Sequence, residues 1–210
     1  MAMISDITVF DFETSGLDAQ KDRVIEMAAI RIANGQVVGE FSTLVQYDGV
    51  LSPKIIELTG IQDDALRHGF DEVTAFKIFN RFIGNSVIVA HNAAFDLGFL
   101  HYSLKRLAGR SFNNSFIDTL TISRDRTFFP YKLVDLCDRY QIELVGAHRA
   151  LSDVYGCWHL YEKLSQEVNI PDYLNQLGYM RKYGPPKWSP DYAVLQAQEN
   201  RYEERRQESV

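Results

Sequence analysis

Cysteine is nearly absent. The chain has two in 210 residues, Cys137 and Cys157, too few for the disulfide framework that holds small secreted domains together. Reduced thiols and a cytoplasmic location are therefore expected. No apolar run approaches the ~20 residues of a membrane-spanning helix. The opening MAMISDITVF lacks the basic stretch and apolar core of a signal peptide. An excess of positive charge is missing too: 22 Lys and Arg stand against 28 Asp and Glu, a formal −6. Bulk counterion release needs basic side chains facing phosphates, so this composition excludes a protein that grips nucleic acid by charge alone. It does not exclude an enzyme whose acids hold metal ions. Internal repeats and low-complexity blocks are likewise lacking. What is present, 46% hydrophobic and 24% charged residues, suits a soluble globular domain with a tail.

The hydrophobic pattern changes period along the chain. Residues 7–14 (ITVFDFET), 24–33 (VIEMAAIRIA) and 37–46 (VVGEFSTLVQ) are rich in β-branched and aromatic residues, as in strands. Asn34-Gly35 between the second and third is a hairpin signal. These stretches predict three antiparallel strands. Pro53 suits the first position of a short helix over 53–59. Val73, Phe76 and Phe79 mark one face of a helix over 71–83. VIVA (87–90) reads as a strand buried on both faces. Helical spacing resumes over 94–107, and further helices are expected near 117–125, 131–140 and 150–165. A hairpin-rich start followed by alternating strands and helices implies an α/β fold: a mixed central sheet flanked by helices. The texture changes beyond residue 166, so the expected division is a domain over 1–166 and an extension over 167–210, partly helical at its very end.

Asp11 and Glu13 lie two residues apart in an apolar strand, so their side chains leave the same face. Like charges side by side in a half-buried strand are costly unless a cation binds them. Two surface acids on an edge strand is the plain alternative. Asp96 opens a helix after the buried strand, where an Asp is often a favourable dipole partner, and Asn92 just before it suits a cap or turn. His148 and Asp153 would sit about 140° apart if both were helical. They can meet only if His148 precedes the helix that carries Asp153. Each residue is unremarkable alone. Together, Asp and Glu without a Cys or His cluster are hard oxygen ligands suited to Mg²⁺ or Mn²⁺, and several acids at one point suggest a two-metal site for displacement at phosphorus.

DFETSGL (11–17), HNAAFDLGF (91–99) and HRALSDV (148–154) resemble, in order, the three motifs of the DEDDh (DnaQ-like) 3′→5′ exonucleases. Within that family the likeness is greatest to the proofreading epsilon subunit of bacterial DNA polymerase III. LTGIQDDAL (58–66) and FIDTLTISR (116–124) also fall where that family has similar segments, and the resemblance covers roughly residues 5–165. It implies a ribonuclease H-like fold and two Mg²⁺ ions, with Mn²⁺ able to substitute. Asp11 would bridge both ions, Glu13 and Asp153 would complete one, and Asp96 would hold the other. His148 would take the proton from the attacking water. The substrate implied is nucleic acid with a free 3′ end, most plausibly single-stranded DNA, released as nucleoside 5′-monophosphates. Thr14, Leu17, Asn92, Phe99, Thr59 and Ile61 are candidate substrate contacts, although core packing is the commoner role of a helix aromatic such as Phe99.

The resemblance stops before the extension. There, Tyr173, Tyr179, Tyr183, Trp188 and Tyr192 alternate with Arg181, Lys182 and Lys187. Such a pattern can bind single strands, but a tail folded back over the domain is favoured. A DNA polymerase or other repair partner would dock through this extension, and no membrane is expected. Two rivals stand beside the DNA exonuclease: the same chemistry on RNA or short oligoribonucleotides, and a non-catalytic nucleic-acid-binding scaffold subunit.

Overall fold

A computed structural model describes residues 3–144 and 149–199. Strands β1 (Asp6–Thr14), β2 (Val24–Ala33) and β3 (Gln36–Leu44) form an antiparallel meander. Asn34 and Gly35 both take positive φ, 51° and 77°, the backbone twist that a two-residue hairpin requires. Three short or amphipathic helices follow, α1 (Pro53–Thr59), α2 (Asp63–Leu66) and α3 (Glu72–Ile83). The Asp71 carboxylate caps α3 by accepting from Thr74 N at 3.0 Å. Strand β4 (Val87–Ala90) runs parallel to β1 and leads into α4 (Ala93–Ala108). Strand β5 (Phe116–Asp118), parallel to β4, completes a five-stranded sheet of order β3-β2-β1-β4-β5. Helices α5 (Thr119–Arg126), α6 (Leu133–Tyr140) and α7 (Ala150–Ser165) follow.

The sheet is buried on both faces, and the alternation of β1 decides what lies on each. Ile7 and Val9 point into a core formed with Val154, Cys157, Trp158 and Tyr161 of α7. Phe10 and Phe12 point the other way, into a core shared with α3 and α4. There Phe12 and Phe79 have ring centroids 5.1 Å apart and Phe10 and Phe79 5.6 Å. Each such buried ring is worth about 1.5–3 kcal/mol, which clamps the second half of β1 in place. Both cysteines are unbridged and buried on the α7 side.

The extension holds a second, two-stranded parallel sheet, β6 (Gln176–Met180) and β7 (Val194–Gln198). It is bonded to the α/β body. Gly178 N donates to Thr121 Oγ1 at 2.7 Å, Arg124 Nη1 to Gly178 O at 2.8 Å, and Gln198 Nε2 to Thr121 O at 3.0 Å. Trp188 stacks on His101 with centroids 4.2 Å apart. One expectation needs correction. Residues 116–118 form a strand rather than the start of a helix, because Asp118 ends the strand and its carboxylate caps α5 through Leu120 N and Thr121 N. Val194–Gln198 form a strand, since β6 supplies a partner that sequence spacing does not reveal, and the expected helix at the very end of the chain lies outside the described residues. Residues 200–210 lie outside the described part. Among the described residues, no helix is long and apolar enough to cross a membrane.

Candidate active site

Asp11 and Glu13 continue the Ile7–Val9 row of β1, so they face α7. Pairing with β4 covers Ile7 to Val9, and Asp11 and Glu13 lie on the part of β1 that runs past it. This is the crevice outside the carboxyl ends of parallel strands, where α/β proteins place their ligands. Asp153, in the first turn of α7, meets the pair: one carboxylate oxygen from each of Asp11, Glu13 and Asp153 lies within 4.8 Å of the others. Asp96 enters from the first turn of α4. It is 2% exposed, and its Oδ1 accepts from Phe12 N at 3.1 Å. That bond ties α4 to the overhanging half of β1.

The electrostatics follow from this crowding. Burial, and then the charges of Asp96, Glu13, Asp153 and Glu26, push the Asp11 carboxyl well above the usual range. Asp96 is pushed up by burial, against the pull of its backbone hydrogen bonds. Glu13 is raised to about 8 by burial and by Asp153 and Glu26, with Arg149 opposing. Among the described residues neither Asp11 nor Glu13 has a hydrogen-bonding or ion-pairing partner. Packed acids that repel one another this strongly suit a divalent cation, and an all-oxygen donor set without sulfur suits hard ions such as Mg²⁺ or Mn²⁺.

Two supporting residues, Glu26 and Asp118, were not singled out from the sequence. Glu26 of β2 is the cross-strand partner of Glu13 and is 2% exposed. It receives Arg149 Nη2 at 2.7 Å and Ala150 N at 3.1 Å, so it caps α7 and anchors the residue next to His148. An acid inside an otherwise apolar strand was its sequence signal, the same one that marks Glu13. Glu26→Ala is expected to cost about 1–3 kcal/mol, the value of charge-assisted hydrogen bonds, moderated because half-exposed Arg149 can turn to solvent. Urea unfolding midpoints check this; equal midpoints for variant and wild type would show that the clamp adds nothing. Asp118 does similar work on the other side: besides capping α5 it accepts from Ala93 N at 3.1 Å, fixing the start of α4. His91 is pinned between Thr119 Oγ1 and Tyr131 O, both at 2.9 Å, and burial lowers its pKa. Its part is structural.

The remaining candidates separate. Asn92 is exposed, takes a left-handed φ of 64°, and lines two cavities, one of about 870 Å³ that Asp11 and Asp153 also line and one of about 220 Å³ on the side of Leu17. A non-glycine residue held in that conformation often marks a functional turn. Leu17 is 83% exposed and lines the smaller cavity together with Phe95. Thr14 is buried, and its hydroxyl donates to Gly16 O at 2.7 Å, shaping the turn that presents Leu17. Phe99 is buried against Phe95 with centroids 4.9 Å apart, and both rings line the smaller cavity. Thr59 and Ile61 line neither cavity. The Thr59 hydroxyl is engaged within its own turn, and Ile61 packs with Ile25, Leu51 and Leu66. His148 lies outside the described residues.

The family model described as Exonuclease matches residues 8–161. The chain belongs to that exonuclease family. The exonuclease is similar to the PolC-type DNA polymerase III of Bacillus subtilis (strain 168), 39% identical over 198 residues covering 90% of this chain and 14% of that one. It is also similar to that of Halalkalibacterium halodurans, 36% identical over 199 residues covering 92% and 14%. The chain thus spans 14% of the length of these relatives. Among solved structures it is similar to E. coli Exonuclease I in complex with a dT13 oligonucleotide. The TM-score is 0.69 at 21% identity, over 80% of this chain and 42% of that one. That likeness establishes the ribonuclease H-like fold.

Proposed function

We propose that this exonuclease removes nucleotides one at a time from the 3′ end of single-stranded DNA, releasing nucleoside 5′-monophosphates. The observation that carries the reading is the meeting of Asp11, Glu13 and Asp153 within 4.8 Å, beside buried Asp96. Asp11, Glu13 and Asp153 would hold one divalent cation and Asp11 with Asp96 a second, Mg²⁺ in the cell with Mn²⁺ able to replace it. Such ions supply a nucleophile at neutral pH and stabilise charge during in-line displacement at phosphorus. The chain's own part is to receive the proton and hold the end of the strand. His148 takes the proton from the attacking water, a role that suits an imidazole. The Thr14 backbone N–H meets the sugar of the last nucleotide, Leu17 packs against its base, and Asn92 contacts the sugar-phosphate beside it. Phe99 backs Phe95 against the same base.

Two relatives are themselves DNA polymerases, which supports a proofreading or repair role in the bacterial cytoplasm, in company with a polymerase. The test is a time course on a 5′-labelled single-stranded DNA oligomer and its RNA counterpart, with Mg²⁺, Mn²⁺ or EDTA. A one-nucleotide ladder descending from the 3′ end, faster on DNA and absent in EDTA, is expected. A faster RNA ladder would make the enzyme an exoribonuclease. Degradation of neither by the folded protein with metal would leave a scaffold role.

A further inference from the structure

The larger cavity beside the carboxylates is walled in part by the extension, which lies beyond the segment matched by the exonuclease family model. Asp11, Asp153 and Asn92 share its lining with Arg124 and Lys132, and with Lys182 and Tyr183 of the extension. Apart from the two acids at the reacting end, the charged residues described in that lining are all cations. This is a local inversion in a chain of formal charge −6. Arg124 donates from Nη1 to Gly178 O, while its Nε is buried without an acceptor. Among the described residues, Lys132 and Lys182 have no ion-pair partner. The Lys182 ammonium stands 4.9 Å from the centroid of the Tyr183 ring. Tyr183 is 78% exposed and Phe129, on the same cavity, 59%. Solvated lysines alone would not need exposed rings beside them, whereas a nucleic-acid strand uses both, cations for phosphates and rings for bases. The Gly178 and Gln198 bonds to Thr121 hold this wall against the α/β body.

We infer that this cavity holds the body of the single-stranded DNA substrate, with Lys182 and Tyr183 gripping the phosphate and base of a nucleotide upstream of the bond that is cut. The assignment rests on the exonuclease reading above. Asn92 lines both cavities, so the scissile position lies between them. The departing nucleotide takes the side of Leu17, and the remaining strand takes the larger space.

Fluorescence anisotropy of labelled dT8 in EDTA reads the grip without turnover, using the full chain and its Tyr183→Ala and Lys182→Ala variants. Loss of a stacking ring is expected to weaken binding about 5- to 100-fold. Loss of Lys182 should flatten the dependence of log Kd on log salt by about 0.7. Unchanged affinity and slope in both variants, or no binding of dT8 by the wild type, overturns the assignment. Turnover of DNA from dinucleotide to octanucleotide with Mn²⁺ provides a second readout. The wild type should gain in kcat/KM with length and the variants should lose that gain. An equal loss at every length would place the two residues at the reacting end instead and also overturn the assignment. If the wild type cuts nothing yet binds dT8 through Lys182 and Tyr183, the exonuclease reading fails and the cavity assignment stands.

Discussion

Asp11→Asn is expected to abolish turnover and, at the same time, to raise the melting temperature of the metal-free protein. Asp11 sits at the centre of the acid cluster, where burial and four neighbouring carboxylates oppose its ionisation. Losing one preorganised electrostatic group in an active site typically costs about 10²–10³ in rate, and a ligand common to both ions should cost at least that. Stability moves the other way because the substitution removes repulsion. Glu13, at about 8 instead of 4.5, shows the sign. Its folded form holds the proton more tightly than the unfolded chain does, so stability falls as pH rises from the unfolded value toward 8 and is level beyond it. The metal-free wild type should therefore melt highest in mild acid and lose stability toward pH 8. At pH 8 the variant should melt above it, by about 2–4 °C for each kcal/mol of repulsion relieved, and the advantage should shrink as the pH falls. Mg²⁺ or Mn²⁺ should lift the wild-type melting curve, as any ligand specific to the folded state does, and should lift the variant far less. Calorimetry across pH with and without the ions checks all of this. A variant that keeps substantial activity would sink the two-ion assignment.

His148→Ala is expected to slow the reaction by about 10²–10⁴-fold, the usual reach of a general base, while leaving the ion-induced rise in melting temperature intact. The wild-type rate should fall in acid, where a protonated imidazole can no longer accept a proton. The variant should lack that acid limb, which separates a base from a residue that merely braces the fold. If ion binding vanished with the imidazole, His148 would be a ligand. The neighbouring Arg149 is fixed by Glu26, whose carboxylate also caps α7. In sequence, His148 thus immediately precedes an anchored helix start that carries Asp153 in its first turn.

What could be read along the chain was whatever has a local physical cause. The two-residue period of ITVFDFET places Asp11 and Glu13 on one face, Asn34-Gly35 dictates a hairpin, and apolar spacing marks α3, α4 and α7. Strand β5 escaped because three residues are too few to show a period before Asp118 caps the helix that follows. Strands β6 and β7 escaped because each owes its form to the other and to α5. Glu26, Asp118 and Arg124 look like ordinary charged residues until burial removes the water that would otherwise satisfy them.

By itself the sequence determined the three-stranded start, the longer helices, the order of the three motifs, and the hard-oxygen character of the acids, since these follow from residue type and spacing. Only the tertiary structure decided that the acids meet. The sheet order brings the end of β4, and hence Asp96, beside β1, and packing of α7 on the Ile7–Val9 face carries Asp153 to Asp11 and Glu13. It also decided that the extension walls the larger cavity. The strands and helices that bring the acids together stand more than 80 positions apart and the extension meets α5 across more than 50, encounters that arise from burial of apolar surface on two faces of one sheet, which no local period records.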